Sequence, residues 1–515
     1  MRSHPLFIFC VLLGLGGFAA LPACSWLSGD PGPNLLVVVV DSLRFDAISH
    51  SLGAARTPNI QELGNDGVSF QLCFSHSPIT LPANVALLSA RLPCDNRVMN
   101  NGEIIDGTVD LCAQWLSKHD YQTVAAVSLA SLWPGLPGKG IDRGFGAFCI
   151  GAQELEPATK VNEKLCAFLD HAPTDRPWFA YAQYSEPHEP YDAHGSEAHT
   201  AEVVRDGKLL ETIKISESNF WECEALVAPG RHTFAFRSDV PLRVRRFDCT
   251  TTAGPLPVEF ERGNAQDASN EVSIAFDNTE DRALSVKLSA WVHDAPDLAH
   301  SRARYKLEVE AVDKAFGELV AELKRRNLYD HTVIAFTADH GEALGDHGRV
   351  GHTQSLYDET LRVPLIIKPV KGDLRITDLA HDQHNLVRHI DVIPTVLDLL
   401  DVKGLPGAKG TSLLRPAERD LVAETHPPEA SSTLYAMRDA RYKMILGSGQ
   451  ESFEMYDLSA DTLEMENIFD LQGHLRPTWQ TKLRELVGNS PQVANLRMGV
   501  KTARKRSLQL QALGY

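Results

Sequence analysis

Three stretches of this chain run an apolar segment straight into acid or imidazole side chains. The richest is Thr332-Val-Ile-Ala-Phe-Thr-Ala338, followed by Asp339-His340-Gly341-Glu342 and then by Asp346, His347 and His352. Asn34-Leu-Leu-Val-Val-Val-Val ends on Asp41, and Trp178-Phe-Ala-Tyr-Ala-Gln-Tyr184 precedes Glu186-Pro187-His188. Carboxylates and imidazoles are the side chains that hold divalent cations and move protons near neutral pH. The first cluster contains more of them than a hydrophobic core has use for, so it reads as chemistry rather than packing.

The segments that precede these groups are continuous, β-branched and apolar, the pattern of strands covered on both faces. Open α/β sheets bind their ligands at the carboxyl ends of such strands, where all three clusters fall. Between the strands lie helical patterns, clearest where Tyr305, Val309, Val312, Phe316, Leu319 and Leu323 recur at three and four residues. Strands alternating with helices predict an α/β fold with a mostly parallel sheet flanked by helices. Residues 197–297 depart from this pattern: Leu209–Ile215, His232–Phe236, Leu242–Phe247, Val272–Phe276 and Leu284–Val292 are short β-rich runs between turn signals. They predict an inserted β-sandwich, within which Cys223 and Cys249 could be bridged.

The 515 residues suffice for a large α/β domain with additions. A net charge of −17 argues against general nucleic-acid binding, since a phosphate backbone would be repelled; the basic run Lys501–Arg506 reads as a solvated terminal segment. At the start, Arg2 and His4 precede an apolar stretch ending in Leu21-Pro22-Ala23-Cys24-Ser25. This resembles a bacterial lipoprotein signal, which implies that residues 1–23 are removed, that Cys24 carries the lipid and that Ser25 favours the outer membrane. Beyond Cys10 and Cys24 the cysteines are scattered without paired CxxC spacing, which disfavours a zinc knuckle.

The segment FTADHGEALGDHGRVGHTQSLYDETLRVPLII is similar to the metal-binding block of the sulfatase family, within the alkaline-phosphatase superfamily. LLVVVVDSLRFD, EPHEPY, LKRRNLYDHT, HIDVIPTVLDLL and YDLSADTLEMEN resemble further landmarks of that family, in its order. The resemblance makes Asp41, Asp339 and His340 metal ligands, with the nucleophile completing the set. Two carboxylates and an imidazole suit Zn or Mn, with Ca as a further option.

Sulfatases that use formylglycine need a cysteine or serine in a CxPxR-like motif, and no cysteine here has Pro at +2 and Arg at +4. TLPANVALLSAR matches that signature by Pro82, Leu87, Leu88 and Arg91, which puts Thr80 at the nucleophile position. Threonine cannot become formylglycine in that chemistry, but an activated threonine can attack phosphorus or sulfur directly, as in several phosphodiesterases and phosphotransferases of the superfamily. Ser42, Asn84, Ser128 and Ala130 stand where formylglycine sulfatases carry Asp, Arg, Lys and His, so contacts specific to sulfate are largely missing. That tilts the expected substrate toward a phosphate mono- or diester, against the sulfated carbohydrate that overall similarity suggests.

By the same resemblance His188 and His352 hold the anion or protonate the leaving group. Asn101 would place an amide near the anion, and Glu186 with His188 and His352 would hold a second metal if there is one. The expected organisation is a core of 34–196 and 298–400, the insert 197–297 and a C-terminal subdomain 401–500. The expected function is an exported, membrane-anchored, metal-dependent ester hydrolase acting on a sulfated or phosphorylated carbohydrate or lipid. A transferase of the phosphoglycerol or phosphoethanolamine type and a catalytically silent surface binding protein are the alternatives.

Overall fold

The protein is described by a computed structural model over residues 31–48, 54–135, 140–152, 155–189, 191, 200–215, 219–252, 254–262, 269–294, 298–426, 433–447, 453–471, 478–479 and 481. The expected signal segment, Cys24, the basic run and the end of the expected C-terminal subdomain lie outside these residues. Among the described residues no helix is long and apolar enough to cross a membrane.

The core sheet is built from β1 (Asn34–Val40), β2 (Val68–Phe74), β3 (Gln122–Val127), β4 (Ala147–Ile150) and β5 (Trp178–Tyr184). The insert supplies β6 (Thr200–Arg205), β7 (Lys208–Lys214), β8 (Asn219–Val227), β9 (Gly230–Thr251), β10 (Gly254–Pro255), β11 (Glu259–Arg262), β12 (Ser269–Asn278) and β13 (Leu284–Asp294). The chain then returns to the core with β14 (Thr332–Ala338), β15 (Arg362–Lys368) and β16 (Leu386–Arg388).

The core order is β16-β2-β15-β14-β1-β5-β3-β4, with β1 between β14 and β5 and parallel to both. Every residue of β1, β5 and β14 is buried, as their unbroken apolar runs require. Helix Leu298–Arg325 covers the sheet with the apolar face predicted from its spacing, and Phe316 packs on Phe336 at 4.9 Å between ring centroids. Truncating Phe336 to Ala would remove that contact at a cost of about 3–5 kcal/mol.

Register decides what happens at the carboxyl end. Val40 pairs with Ala338 on one side and Tyr184 on the other, so Asp41, Asp339 and Ser185 emerge level with one another from adjacent strands. β15 is antiparallel to β14 and β2 antiparallel to β15, so β2 again runs toward this end and leads into helix Thr80–Ser89. Thr80 is therefore delivered beside Asp41 and Asp339, although 39 and 259 residues separate it from them in the chain.

In the insert, the runs at 232–236 and 242–247 belong to one strand of 22 residues, β9, not to two. Its first part pairs with β12 and β6 and its second with β13, so one bent strand belongs to both halves of the β domain. Val203, Phe234 and Phe236 from one half share an apolar core with Leu288 and Val292 from the other. The Cys223–Cys249 bridge is overturned. Both cysteines are free, and both stand opposite Leu288 of β13, which runs between their strands. Two strand spacings put them about 9–10 Å apart, beyond the roughly 7 Å that a disulfide spans between Cα atoms. A four-stranded antiparallel sheet of β17 (Leu421–Thr425), β18 (Leu434–Arg438), β19 (Tyr442–Gly447) and β20 (Phe453–Asp457) follows the core.

Candidate active site

Asp41, Thr80, Asp339 and His340 meet at the carboxyl end of the core sheet, and none of them is exposed. The Thr80 hydroxyl, in the first residue of its helix, lies 3.4 Å from Asp41 Oδ2 and 3.4 Å from His340 Nε2. Asp41, Asp339 and His340 each offer a ligand atom, and these atoms lie within 4.8 Å of one another. Among the described residues this is the one group of three or more such side chains placed to hold a metal ion.

Local backbone features hold each ligand. Ser42 adopts a left-handed conformation, φ 57°, that turns its N–H onto Asp339 Oδ1 at 3.3 Å while its hydroxyl donates to Asp41 Oδ1 at 2.7 Å. Asp339 Oδ1 also accepts the His340 N–H at 2.8 Å. Gly341 lets the chain after His340 lie against the segment before β15: its N–H donates to the Thr360 carbonyl, and a Cβ there would sit 2.1 Å from the Glu359 carbonyl oxygen. His340 Nδ1 donates to the Gly341 carbonyl oxygen at 3.0 Å, which leaves the lone pair on Nε2 facing Asp41, Asp339 and Thr80.

The electrostatics agree with this geometry. Burial, and then the neighbouring Asp339, push the Asp41 carboxyl up to about 6. Burial likewise pushes Asp339 up to about 7, although the N–H groups of His340 and Ser42 work against it. Burial and then His352 take His340 down to about 4, so its imidazole is neutral at physiological pH. Two buried carboxylates facing one another beside a neutral imidazole with a bare nitrogen are poorly satisfied alone and well matched to a divalent cation. The donor set therefore fits a metal.

His352 stacks on His340 at 4.3 Å and meets His188 edge-on at 5.4 Å, so both histidines stand over the ligand group. The His352 side chain is 12 % exposed and forms the edge of the site nearest solvent. His352 Nδ1 lies 3.4 Å from Glu342 Oε2, a fully buried carboxylate raised to about 7 by burial and by Glu189. A cleft of about 1140 Å³ borders the loop after His340, lined by Arg44, Tyr305, Asp346 and Tyr357 among others, but no ligand residue lines it.

Two expected contacts have other duties. Both oxygens of Glu186 accept the Ala158 N–H, at 3.0 and 3.1 Å, at the start of helix Ala158–Leu169. Its carboxylate thus caps a helix, and the expected trio of Glu186, His188 and His352 is not among the metal-holding groups of the described residues. Asn101 Oδ1 accepts the Leu81 N–H at 2.9 Å, fixing the turn that carries Thr80. Asn84, Tyr181 and Glu342 were given no role from sequence. Asn84 donates to Asp339 and is itself held by Tyr181, and its spacing of four from Thr80 on one helix was the signal available for it.

The sulfatase family model matches residues 33–402, and the model for the C-terminal region of N-sulphoglucosamine sulphohydrolase matches 345–488. The chain is 22 % identical to a choline-sulfatase of Rhizobium meliloti, over 85 % of this chain and 82 % of that one. It is 23 % identical to an N-acetylglucosamine-6-O-sulfatase of Bacteroides thetaiotaomicron, over 91 % and 88 %. Among solved structures, a phosphonate monoester hydrolase of Agrobacterium radiobacter superposes with a TM-score of 0.59 at 19 % identity, covering 89 % of this chain and 96 % of that one.

Proposed function

The chain belongs to the sulfatase family, and from that premise we propose that it hydrolyses a phosphate or sulfate ester with Thr80 as nucleophile. The observation that carries this is the Thr80 hydroxyl, 3.4 Å from both Asp41 and His340 inside the buried ligand group. Thr80 Oγ1 forms a bond to phosphorus or sulfur as the ester oxygen leaves, and water then attacks the same atom to release Thr80. A divalent cation held by Asp41, Asp339 and His340 would supply positive charge for the attacking and non-bridging oxygens. His188 and His352 stand over the ligand group, where a proton can be given to the departing oxygen.

Ser128, Ala130 and Asn84 give the site no lysine, histidine or arginine at the three positions where formylglycine sulfatases carry them, which favours phosphate over sulfate. The names of the choline-sulfatase and N-acetylglucosamine-6-O-sulfatase relatives favour sulfate on a small alcohol or sugar. Turnover of a phosphate diester, a phosphate monoester and a sulfate ester with added Zn, Mn or Ca separates these substrates. Thr80→Ala is expected to lower turnover by about 10³-fold or more in a folded, metal-loaded protein; undiminished turnover would remove Thr80 from the chemistry. Our proposal includes export and lipidation of Cys24, tested by incorporation of labelled fatty acid into the wild type and into Cys24→Ala. Label retained by the variant would refute that anchor.

A further inference from the structure

Asn84 directs every hydrogen-bonding group of its side chain at the protein. Its Nδ2 carries two hydrogens, which reach the Thr80 carbonyl oxygen at 2.8 Å and Asp339 Oδ2 at 3.1 Å. Its Oδ1 accepts the Tyr181 hydroxyl at 2.6 Å. Asn84 and Asp339 are fully buried and Tyr181 is 1 % exposed. Tyr181 lies in the middle of β5, a strand paired on both sides, so its hydroxyl is presented from a rigid element. Turning the Asn84 amide over would set its oxygen against the Thr80 carbonyl oxygen and Asp339 Oδ2, two acceptors left without a donor, so a single orientation satisfies all three partners.

We infer that Asn84 and Tyr181 form a positioning pair: the locked amide ties the Asp339 carboxylate to the backbone of Thr80, and it offers no donor to the substrate. The inference rests on Thr80 being the nucleophile. Asp339 is fixed on one oxygen by the Ser42 and His340 N–H groups and on the other by Asn84, so its remaining lone pairs point in set directions. The same amide holds the first turn of the helix whose first residue is Thr80. A neutral amide performs this where an arginine would add a charge and a long, mobile side chain, and it leaves substrate binding to other groups. Such supporting contacts typically change metal affinity or turnover by 10–100-fold when lost.

The test compares Tyr181→Phe and Asn84→Ala with wild type by calorimetric Mn²⁺ and Zn²⁺ affinity, by kcat and KM on the preferred ester, and by affinity for inorganic phosphate and sulfate. Tyr181→Phe keeps the ring and is expected to lower metal affinity and kcat about tenfold while KM and anion affinity stay within about twofold. Asn84→Ala should move the same quantities further in the same direction. Weakened KM or anion affinity with kcat and metal affinity unchanged would make Asn84 a substrate contact and overturn the proposal. Lowered melting temperature with wild-type kcat and metal affinity in Tyr181→Phe would reduce the pair to packing and overturn it as well, whether or not Asn84→Ala folds. If Thr80→Ala kept full turnover, the nucleophile reading would fail, and the metal affinities would still report on the pair by themselves.

Discussion

Two buried clusters of charged residues in this protein are built on opposite plans. In one, Asp358 meets Arg438 at 2.7 Å and Lys443 at 2.8 Å, and Lys443 also meets Glu464 at 2.6 Å. Burial by itself would raise the Asp358 carboxyl, yet Arg438 and Lys443 hold it well below the usual carboxylate range. In the other, Asp41 and Asp339 face each other, and burial leaves both raised. The first cluster joins the segment before β15 to the C-terminal sheet and carries its counter-ions within the chain. The second sets two carboxylates and an imidazole where they could hold a divalent cation, and on the function proposed above this difference separates structural burial of charge from functional burial.

The sharpest break of that contrast is Asp339→Asn, which keeps the shape and removes one charge. It is expected to lower Mn²⁺ or Zn²⁺ affinity at least about 100-fold, beyond the loss from a merely supporting contact; calorimetric titration reads it directly. Relief of the buried acid is offset by an amide NH2 that must face the Asn84 donor or the two backbone N–H groups, so the apo protein should stay within about 2 kcal/mol of wild type in a denaturant titration. Lys443→Ala should do the reverse, costing about 3–5 kcal/mol of stability by leaving buried Glu464 without its counter-ion and Asp358 with Arg438 alone, with metal affinity unchanged. An Asp339 variant that unfolds like the Lys443 variant would erase the distinction between the clusters.

The smallest effect is in pH. Protons compete with the cation for Asp41 and Asp339, which take them up near 6 and 7, so metal affinity should be full above about pH 7.5 and fall as pH drops through 7 and 6. The decline is roughly tenfold per pH unit while one proton is displaced. Asp358, with its depressed folded value, contributes stability that is present above its unfolded value near 4 and lost only as pH falls further. Metal affinity constant from pH 8 to pH 5.5 would mean that the two aspartates do not bear the cation.

Much of this was legible because strand ends are legible. Asp41, Asp339 and His340 follow unbroken apolar runs, and the parallel order of β14, β1 and β5 then places them side by side. Thr80 was singled out through its motif, since helix Thr80–Ser89 is buried on every side and shows no face of its own. Tyr181 sits in a strand buried on both sides, where alternation carries no information about which residue turns toward the site. The Cys223–Cys249 expectation failed on strand order: β13 comes last in the insert yet runs between β8 and β9. The helix-capping contact of Glu186 was not legible, because its partner, the Ala158 N–H, belongs to a helix start that sequence spacing does not bring near it.

The measurement closest to the central claim is peptide mapping by mass spectrometry of metal-loaded enzyme quenched during turnover of its preferred ester. The account predicts a phosphoryl or sulfuryl adduct on the peptide carrying Thr80, absent from Thr80→Ala. An adduct on another residue, or full turnover in Thr80→Ala with no adduct on that peptide, would contradict it.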